Sequence, residues 1–138
     1  MKLGLNAEVI LEIPFHDVDA MGVAWHGHYL KYLEIARTAL MRTIGLDFQQ
    51  MKDSGHFWPV VECHLKYVQP LRYGQKIKVR AEVVEYESRL KIAYLITDAE
   101  TGLRLNRAHT VQVAITADTG ELIFDLSPIF APLPRMTP

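Results

Sequence analysis

Four runs of alternating residues, joined by connectors too short to hold a crossover helix, decide most of what this chain can become. "VVECHLKYV" (60–68), "KIKVRAEVVEY" (76–86), "RLKIAYLITD" (89–98) and "RLNRAHTVQVAITAD" (104–118) each alternate with the period of a β-strand. In the second, Ile77, Val79, Ala81 and Val83 share one face, and Lys78, Arg80 and Glu82 share the other. The connectors carry "YGQ", "ES" and "ETG", so the neighbouring strands run antiparallel. An earlier strand-like run, "AEVILEIPF" (7–15), ends at Pro14 and a polar loop, "HDVDAMG". Between the first strand and the rest the period changes. From about Gly27 to Ile44, Tyr29, Leu33, Ala36, Leu40 and Ile44 recur at three- and four-residue spacing, which predicts one long amphipathic helix with Gly45 as its stop. A loop containing Asp53, Ser54 and Gly55 follows.

The expected architecture is therefore α+β, a long helix wrapped by an antiparallel sheet of five to six strands. With 138 residues and 49% hydrophobic content, residues 1–138 read as a single domain. Its Pro-rich tail, about 127–138, is expected to lie extended on the surface or to be disordered. One helix does not shield the apolar face of so many strands, and the sheet has edges. Self-association into a homodimer or homotetramer is the expected remedy.

Charge and composition exclude several classes of function. Fifteen basic and sixteen acidic side chains give a net charge of -1, without the broad positive field of a nucleic-acid binder. Glu8 and Glu12 interrupt the first apolar run, so no secretory leader is expected. No uninterrupted apolar stretch approaches the roughly eighteen residues of a membrane span. Cys63 is the only cysteine, which excludes an intrachain disulfide and fits a reducing, cytoplasmic compartment.

The chemistry gathers at the helix entrance, in "FHDVDAMGVAWHGHYLKYLEIAR" (15–37). Asp17 and Asp19 have an ordinary reading as turn and cap acids. Asp19, however, lies about eight residues before the first helical turn, too far to cap it directly. The small residues of "AMGVAW" allow the chain to fold back and set that acid beside exposed helix N–H groups, an arrangement suited to a nucleophile or water-activating base next to an oxyanion site. His26 either orients the reacting groups or packs at the helix start. His28 reads as a solvent-facing first-turn residue, and the pair lacks a third ligand, so no metal is expected. Tyr29 reads as a core or interface aromatic. Glu34 and Arg37, three apart, form a helical ion pair in the simplest account. Glu62 and His64 share one strand face and Cys63 takes the other, with a pocket or subunit contact as their nearest roles.

The order Asp17, Asp19, Gly22, His26, Tyr29, Glu34, Ala36 and Arg37 resembles the signature of the hotdog-fold acyl-CoA thioesterases of the 4-hydroxybenzoyl-CoA thioesterase type, and within it the bacterial Tol-Pal-associated branch, which carries a histidine at the place of His26. The resemblance implies a hotdog fold, thioester hydrolysis, Asp19 as the catalytic carboxylate and a helix-entrance amide on the thioester carbonyl. Here that amide belongs to His26 or Gly27. It also implies a pocket between subunits, with Tyr29 close to the substrate, and it calls for no cofactor. The stretch "YESRLKIAYLI" is similar to the family's Gly-Arg-Ser-Ser-aromatic segment, with Tyr86 and Glu87 at the Gly-Arg positions and only Ser88 retained. Arg89 and Lys91 then either hold coenzyme A phosphates or belong to a solvated strand face. Arg72, Lys76, Arg89, Lys91, Arg104 and Arg107 are spaced rather than clustered in sequence, which favours coenzyme A over an acyl-carrier protein as the carrier. Two rival functions remain: a non-catalytic acyl-thioester or acyl-carrier-protein binding subunit, and a hydroxyacyl-thioester dehydratase, whose His and acid usually fall in a different order.

Overall fold

The computed structural model describes residues 4–130. Strand β1 (Asn6–Glu12) leads through the loop to a short 3₁₀ turn, His26–His28, and into helix α1 (Tyr29–Thr43). A second helix, α2 (Phe48–Asp53), and a two-residue strand, β2 (His56–Phe57), precede the four long strands β3 (Val60–Tyr67), β4 (Lys76–Glu85), β5 (Leu90–Asp98) and β6 (Arg104–Gln112). The chain continues through β7 (Ala114–Thr116), β8 (Leu122–Ile123) and a single helical turn, α3 (Ser127–Phe130). The main sheet has five antiparallel strands in the order β1-β4-β5-β6-β3, and β2, β7 and β8 form a small second sheet. This is the hotdog arrangement, a curved sheet about one long helix.

Alternation in β4 and β5 sets the core. Ile77, Val79, Ala81 and Val83 on β4, with Leu90, Ile92, Tyr94 and Ile96 on β5, are buried against Leu33, Ala36 and Leu40 of α1. A fully buried leucine or isoleucine of this kind contributes about 1.5–3 kcal/mol. The helix ends as its sequence predicts: Gly45 adopts φ 75°, and the Leu46 N–H donates back to the Met41 carbonyl at 2.8 Å.

Three sequence expectations need correction. Residues 48–53 form helix α2 instead of loop, because the Asp47 side chain accepts the Phe48 N–H at 2.8 Å and starts it. The last long run divides at Val113, so residues 114–116 leave the main sheet for the small one. The start of the Pro-rich tail is not free: Ser127–Phe130 forms α3, and Phe130 is buried against Trp58 and Tyr86 at ring separations of 6.1 and 5.1 Å. The rest of that tail call, 131–138, lies outside the described residues.

The helix leans on one half of the sheet, with its strand contacts concentrated on β1 and β4. The other half differs in character. By register Asn106, Ala108, Thr110 and Gln112 of β6 face the helix side with Ile92, Tyr94 and Ile96 of β5, so that half is mostly polar. Strand β3 is exposed along almost its whole length and forms a sheet edge.

The loop before α1 is anchored by a buried acid. Asp17 is 2% exposed; Lys31 Nζ donates to its Oδ1 at 2.6 Å and the Tyr32 hydroxyl to its Oδ2 at 2.7 Å, both from the first turn of α1. Burial by itself raises the Asp17 pKa, but the two hydrogen bonds and the Lys31 charge outweigh it and hold the carboxyl below its ordinary value. A depressed folded-state pKa means stability that is present above the unfolded value of about 3.9 and lost as pH falls through the folded value. Asp17→Asn is therefore expected to cost about 1.5–3 kcal/mol at pH 7. In urea unfolding followed across pH, the gap from wild type should close below about pH 4 as the native carboxyl protonates. Equal stability at pH 7 would show that this anchor carries no load.

Candidate functional site

The loop from Asp17 to Trp25 is a miniature hairpin. Val18 bridges Ala24, the Asp19 N–H donates to the Val23 carbonyl at 3.0 Å, and the Gly22 N–H closes a turn on the Asp19 carbonyl at 2.9 Å. Gly22 holds φ 77°, which a side chain at that corner would resist. At this corner Asp19 is exposed, and its Oδ1 accepts the Met21 N–H at 2.8 Å, the local bond that places an Asp at the first position of a turn. Its Oδ2 carries no hydrogen bond or ion pair among the described residues.

The two acids thus divide differently from the expectation of a folded-back Asp19. The acid bonded to the helix is Asp17, which spends both oxygens there, and no bond joins Asp19 to α1 among the described residues. The reason is length: the hairpin turns within the four residues 19–22, which leaves Asp19 exposed at the corner while the buried Asp17 begins it.

The entrance itself has free donors. The His28 N–H bonds the Trp25 carbonyl at 2.9 Å, and the Trp25 N–H bonds the Asp17 carbonyl at 3.1 Å, whereas the amides of His26 and Gly27 have no acceptor among the described residues. Trp25 lies over them, with its ring 5.0 Å from that of His26 and 5.5 Å from that of His28. A Cβ on Gly27 would overlap the Trp25 ring, so the absence of a side chain there lets the indole pack against the backbone. Nothing in the residue spacing marked Trp25 for this position; an exposed tryptophan just before a predicted helix was the available signal.

Tyr29 is buried, its hydroxyl accepts the Leu71 N–H at 3.3 Å, and its ring meets Tyr67 at 4.8 Å. Burial, with Tyr67 adding, pushes its phenol up, while the Leu71 bond partly opposes this. Tyr67, absent from the residues picked out by sequence, donates its hydroxyl to the His26 carbonyl at 2.9 Å and so ties the end of β3 to the helix entrance. Asn106 was missed as well. It is 0% exposed, lies across from Tyr67 and Ile96, and has no partner on either amide atom among the described residues.

Farther along the helix, Arg37 Nη2 donates to Glu34 Oε2 at 2.7 Å, the ion pair the spacing predicted. Local desolvation pushes the Cys63 thiol up, and Glu34 adds to it, so the inner face of β3 lies near this helix flank. Burial likewise lifts the Tyr94 phenol to about 12, against a hydrogen bond from Thr110. Arg89 and Lys91 are distant in role from the entrance. Arg89 pairs with Glu85 at 3.1 Å and Glu62 at 3.5 Å, and Lys91 lines a groove on the outer face of the sheet. Among the described residues no three His, Cys, Asp or Glu side chains stand close enough to hold a metal ion.

Comparison with known proteins assigns this arrangement to a family. A protein of Synechocystis sp., provisionally named an esterase, is 33% identical over 123 residues, covering 88% of this chain and 74% of its own. A 1,4-dihydroxy-2-naphthoyl-CoA hydrolase of Thermosynechococcus vestitus is 26% identical over 124 residues, covering 88% of this chain and 82% of its own. Among solved structures, the DHNA-CoA thioesterase of Staphylococcus aureus superposes with a TM-score of 0.80 at 28% identity, over 91% of this chain and 84% of that one. The family profile matches residues 13–136, from the end of the first strand through the acidic hairpin, helix and sheet, and the chain belongs to the Thioesterase-like superfamily.

Proposed function

We propose that the protein hydrolyses an acyl-CoA thioester to the free acid and coenzyme A. Asp19 acts as nucleophile or general base, and the His26 and Gly27 amides polarise the thioester carbonyl. The observation that carries this reading is the pair of unbonded N–H groups at the entrance of α1, close in sequence to an acid with an unused oxygen. As the carbon–oxygen bond forms, the carbonyl oxygen gains negative charge, and one aimed donor in a dry site lowers that barrier by about 3 kcal/mol, reinforced by the helix dipole. The carbon–sulfur bond then breaks and the thiolate of coenzyme A takes a proton. In the nucleophilic route Asp19 first forms a mixed anhydride that water opens; in the other it deprotonates the water directly.

The names of several relatives support coenzyme A as the carrier, since they include a 1,4-dihydroxy-2-naphthoyl-CoA hydrolase and a betainyl-CoA thioesterase. Within the superfamily the chain is proposed to stand with the 4-hydroxybenzoyl-CoA thioesterase type, near the Tol-Pal-associated branch. Tyr29 is proposed to shape the pocket beneath the acyl group. Lys91 is proposed to meet the phosphates of coenzyme A, with Arg89 contributing less because two carboxylates share its charge. Residues 1–138 are proposed as one domain of a cytoplasmic protein; among the described residues no helix is long and apolar enough to cross a membrane.

A second copy is proposed to complete the fold. Val60, Val61, Tyr67 and Val68 are exposed along the β3 edge, and Leu30 and Ile35 are exposed on α1. An edge of this length with apolar side chains invites pairing, and the cleft between copies is the proposed pocket.

Assayed on a panel of aromatic and aliphatic acyl-CoAs, Asp19→Asn should fold normally and lose at least ~100-fold in kcat. Retained turnover would remove Asp19 from the mechanism. Repeated turnover in oxygen-18 water should label Asp19 if the anhydride forms, and only the product acid if Asp19 is a base. Light scattering at micromolar concentration should give a dimer or tetramer, and a fully active monomer would refute the shared pocket. Lys91→Ala should raise KM for acyl-CoA with kcat nearly unchanged, whereas a shorter pantetheine thioester should not register the change.

A further inference from the structure

The outer face of the main sheet, turned away from α1, carries a groove of about 390 Å³ lined by His64, Lys66, Lys91, Ala93, Arg107 and His109, among others. Its shape follows from register. His64 of β3 lies across from His109 of β6, which lies across from Ala93 of β5; the small alanine leaves a depression on the far side. Lys66 lies directly across from Arg107. Cations spaced over forty residues of sequence are thereby brought onto adjoining strands.

The charges of this face do not cancel locally. Glu62 and Glu85 pair with Arg89 at 3.5 and 3.1 Å, and Glu8 and Glu82 lie 3.9 and 4.0 Å from Arg80. Lys66, Lys91 and Arg107 have no carboxylate within 4.0 Å among the described residues, and the first and last are directly opposed like charges, a pairing that costs stability unless an anion lies between. The two imidazoles stack at 5.3 Å with an interplanar angle of 14° at the centre of this cationic surround. Burial first, and then the Lys91 and His64 charges, hold His109 below its ordinary value, while Glu62 acts in the opposite direction.

We infer that this groove binds a phosphate-bearing anion of nucleotide size, held by Lys66, Lys91 and Arg107 with His64 and His109 beneath it. Ammonium and guanidinium groups supply charge-assisted bonds to phosphate oxygens, and the volume suits a small ligand better than a protein surface. The phosphates belong either to the nucleotide arm of coenzyme A or to a free nucleotide. Only the first assignment rests on the thioesterase reading; the site itself does not.

Calorimetric titration with adenosine 3′,5′-bisphosphate, ATP and inorganic phosphate tests the inference without any turnover, so a failure here is distinct from a failure of the proposed hydrolysis. Both nucleotides should bind more tightly than inorganic phosphate and lose affinity as salt is raised. Binding should also move the ring resonances of His109 in the wild-type protein. Lys66→Ala and Arg107→Ala, both at exposed positions, should each weaken binding about tenfold. If the double variant also raises KM for acyl-CoA, the phosphates are those of coenzyme A; if KM holds while nucleotide binding is lost, they belong to a free nucleotide. Failure of both nucleotides to bind below about 1 mM, or equal binding by the double variant, overturns the site.

Discussion

Five antiparallel strands spaced about 4.8 Å apart make a sheet about 19 Å across, whereas a single helix with its side chains is about 10–12 Å wide. Much of this molecule follows from that mismatch. Helix α1 settles over β1 and β4, where the inner face is aliphatic, and leaves the β6–β3 half less covered. That half differs in composition. Its inner face carries Cys63, Asn106, Thr110 and Gln112 in place of a second row of valines and isoleucines.

The entrance of α1 is fixed by its own contacts. The loop that feeds it is pinned from both sides: Asp17 holds it to the helix, and the Ala24 N–H bonds the Leu71 carbonyl at 2.7 Å. Pinning of this kind separates two acids of identical chemistry. Asp17 is consumed as a structural charge, buried and doubly bonded, and its removal acts on the fold. Asp19 stays at a corner with one oxygen unengaged, where its charge is available to a ligand. A short hairpin therefore sets a fixed charge and an unengaged one two residues apart.

Period-two and helical patterns were legible wherever a face is decided by one element against one core. The buried set Ile77, Val79, Ala81 and Val83, the helix stripe with its Gly45 stop, and the antiparallel β4–β5–β6 succession follow from local residue spacing, whereas the connector carrying "YGQ" does not join neighbours, because β1 takes the place beside β4 and β3 pairs with β6 at the far edge. The Glu34–Arg37 pair belongs to the same class, since both partners lie on one helix. What escaped needed a second element. Helix α2 is too short to show a period, and only its Asp47 cap announces it. The division at Val113 depends on where β7 finds β8. Alternation in β6 names two faces without saying which turns inward, and here the more polar one does. Asp17 and Asp19 could not be told apart from spacing alone, because their difference lies in Lys31 and Tyr32, more than a dozen residues later.

Strand β3 shows how far such effects of assembly reach. Its side chains alternate between two unlike environments: Tyr67 on the inner face bonds the helix entrance through the His26 carbonyl, while Lys66 and His64 on the outer face join cations from β5 and β6. A strand shifted by one residue would exchange the two sets, withdrawing the tyrosine from the entrance and placing a lysine against the helix side. Lys66 is therefore tied to the register that also seats Tyr67, and Arg107 and His109 are tied to it through the ladder. The basic groove and the helix entrance thus share one structural determinant although they lie on opposite faces of the sheet. Spaced charges that look dilute in the sequence become concentrated only after that register is set, which is why near-neutral net charge is no guide to the field on one face of a sheet.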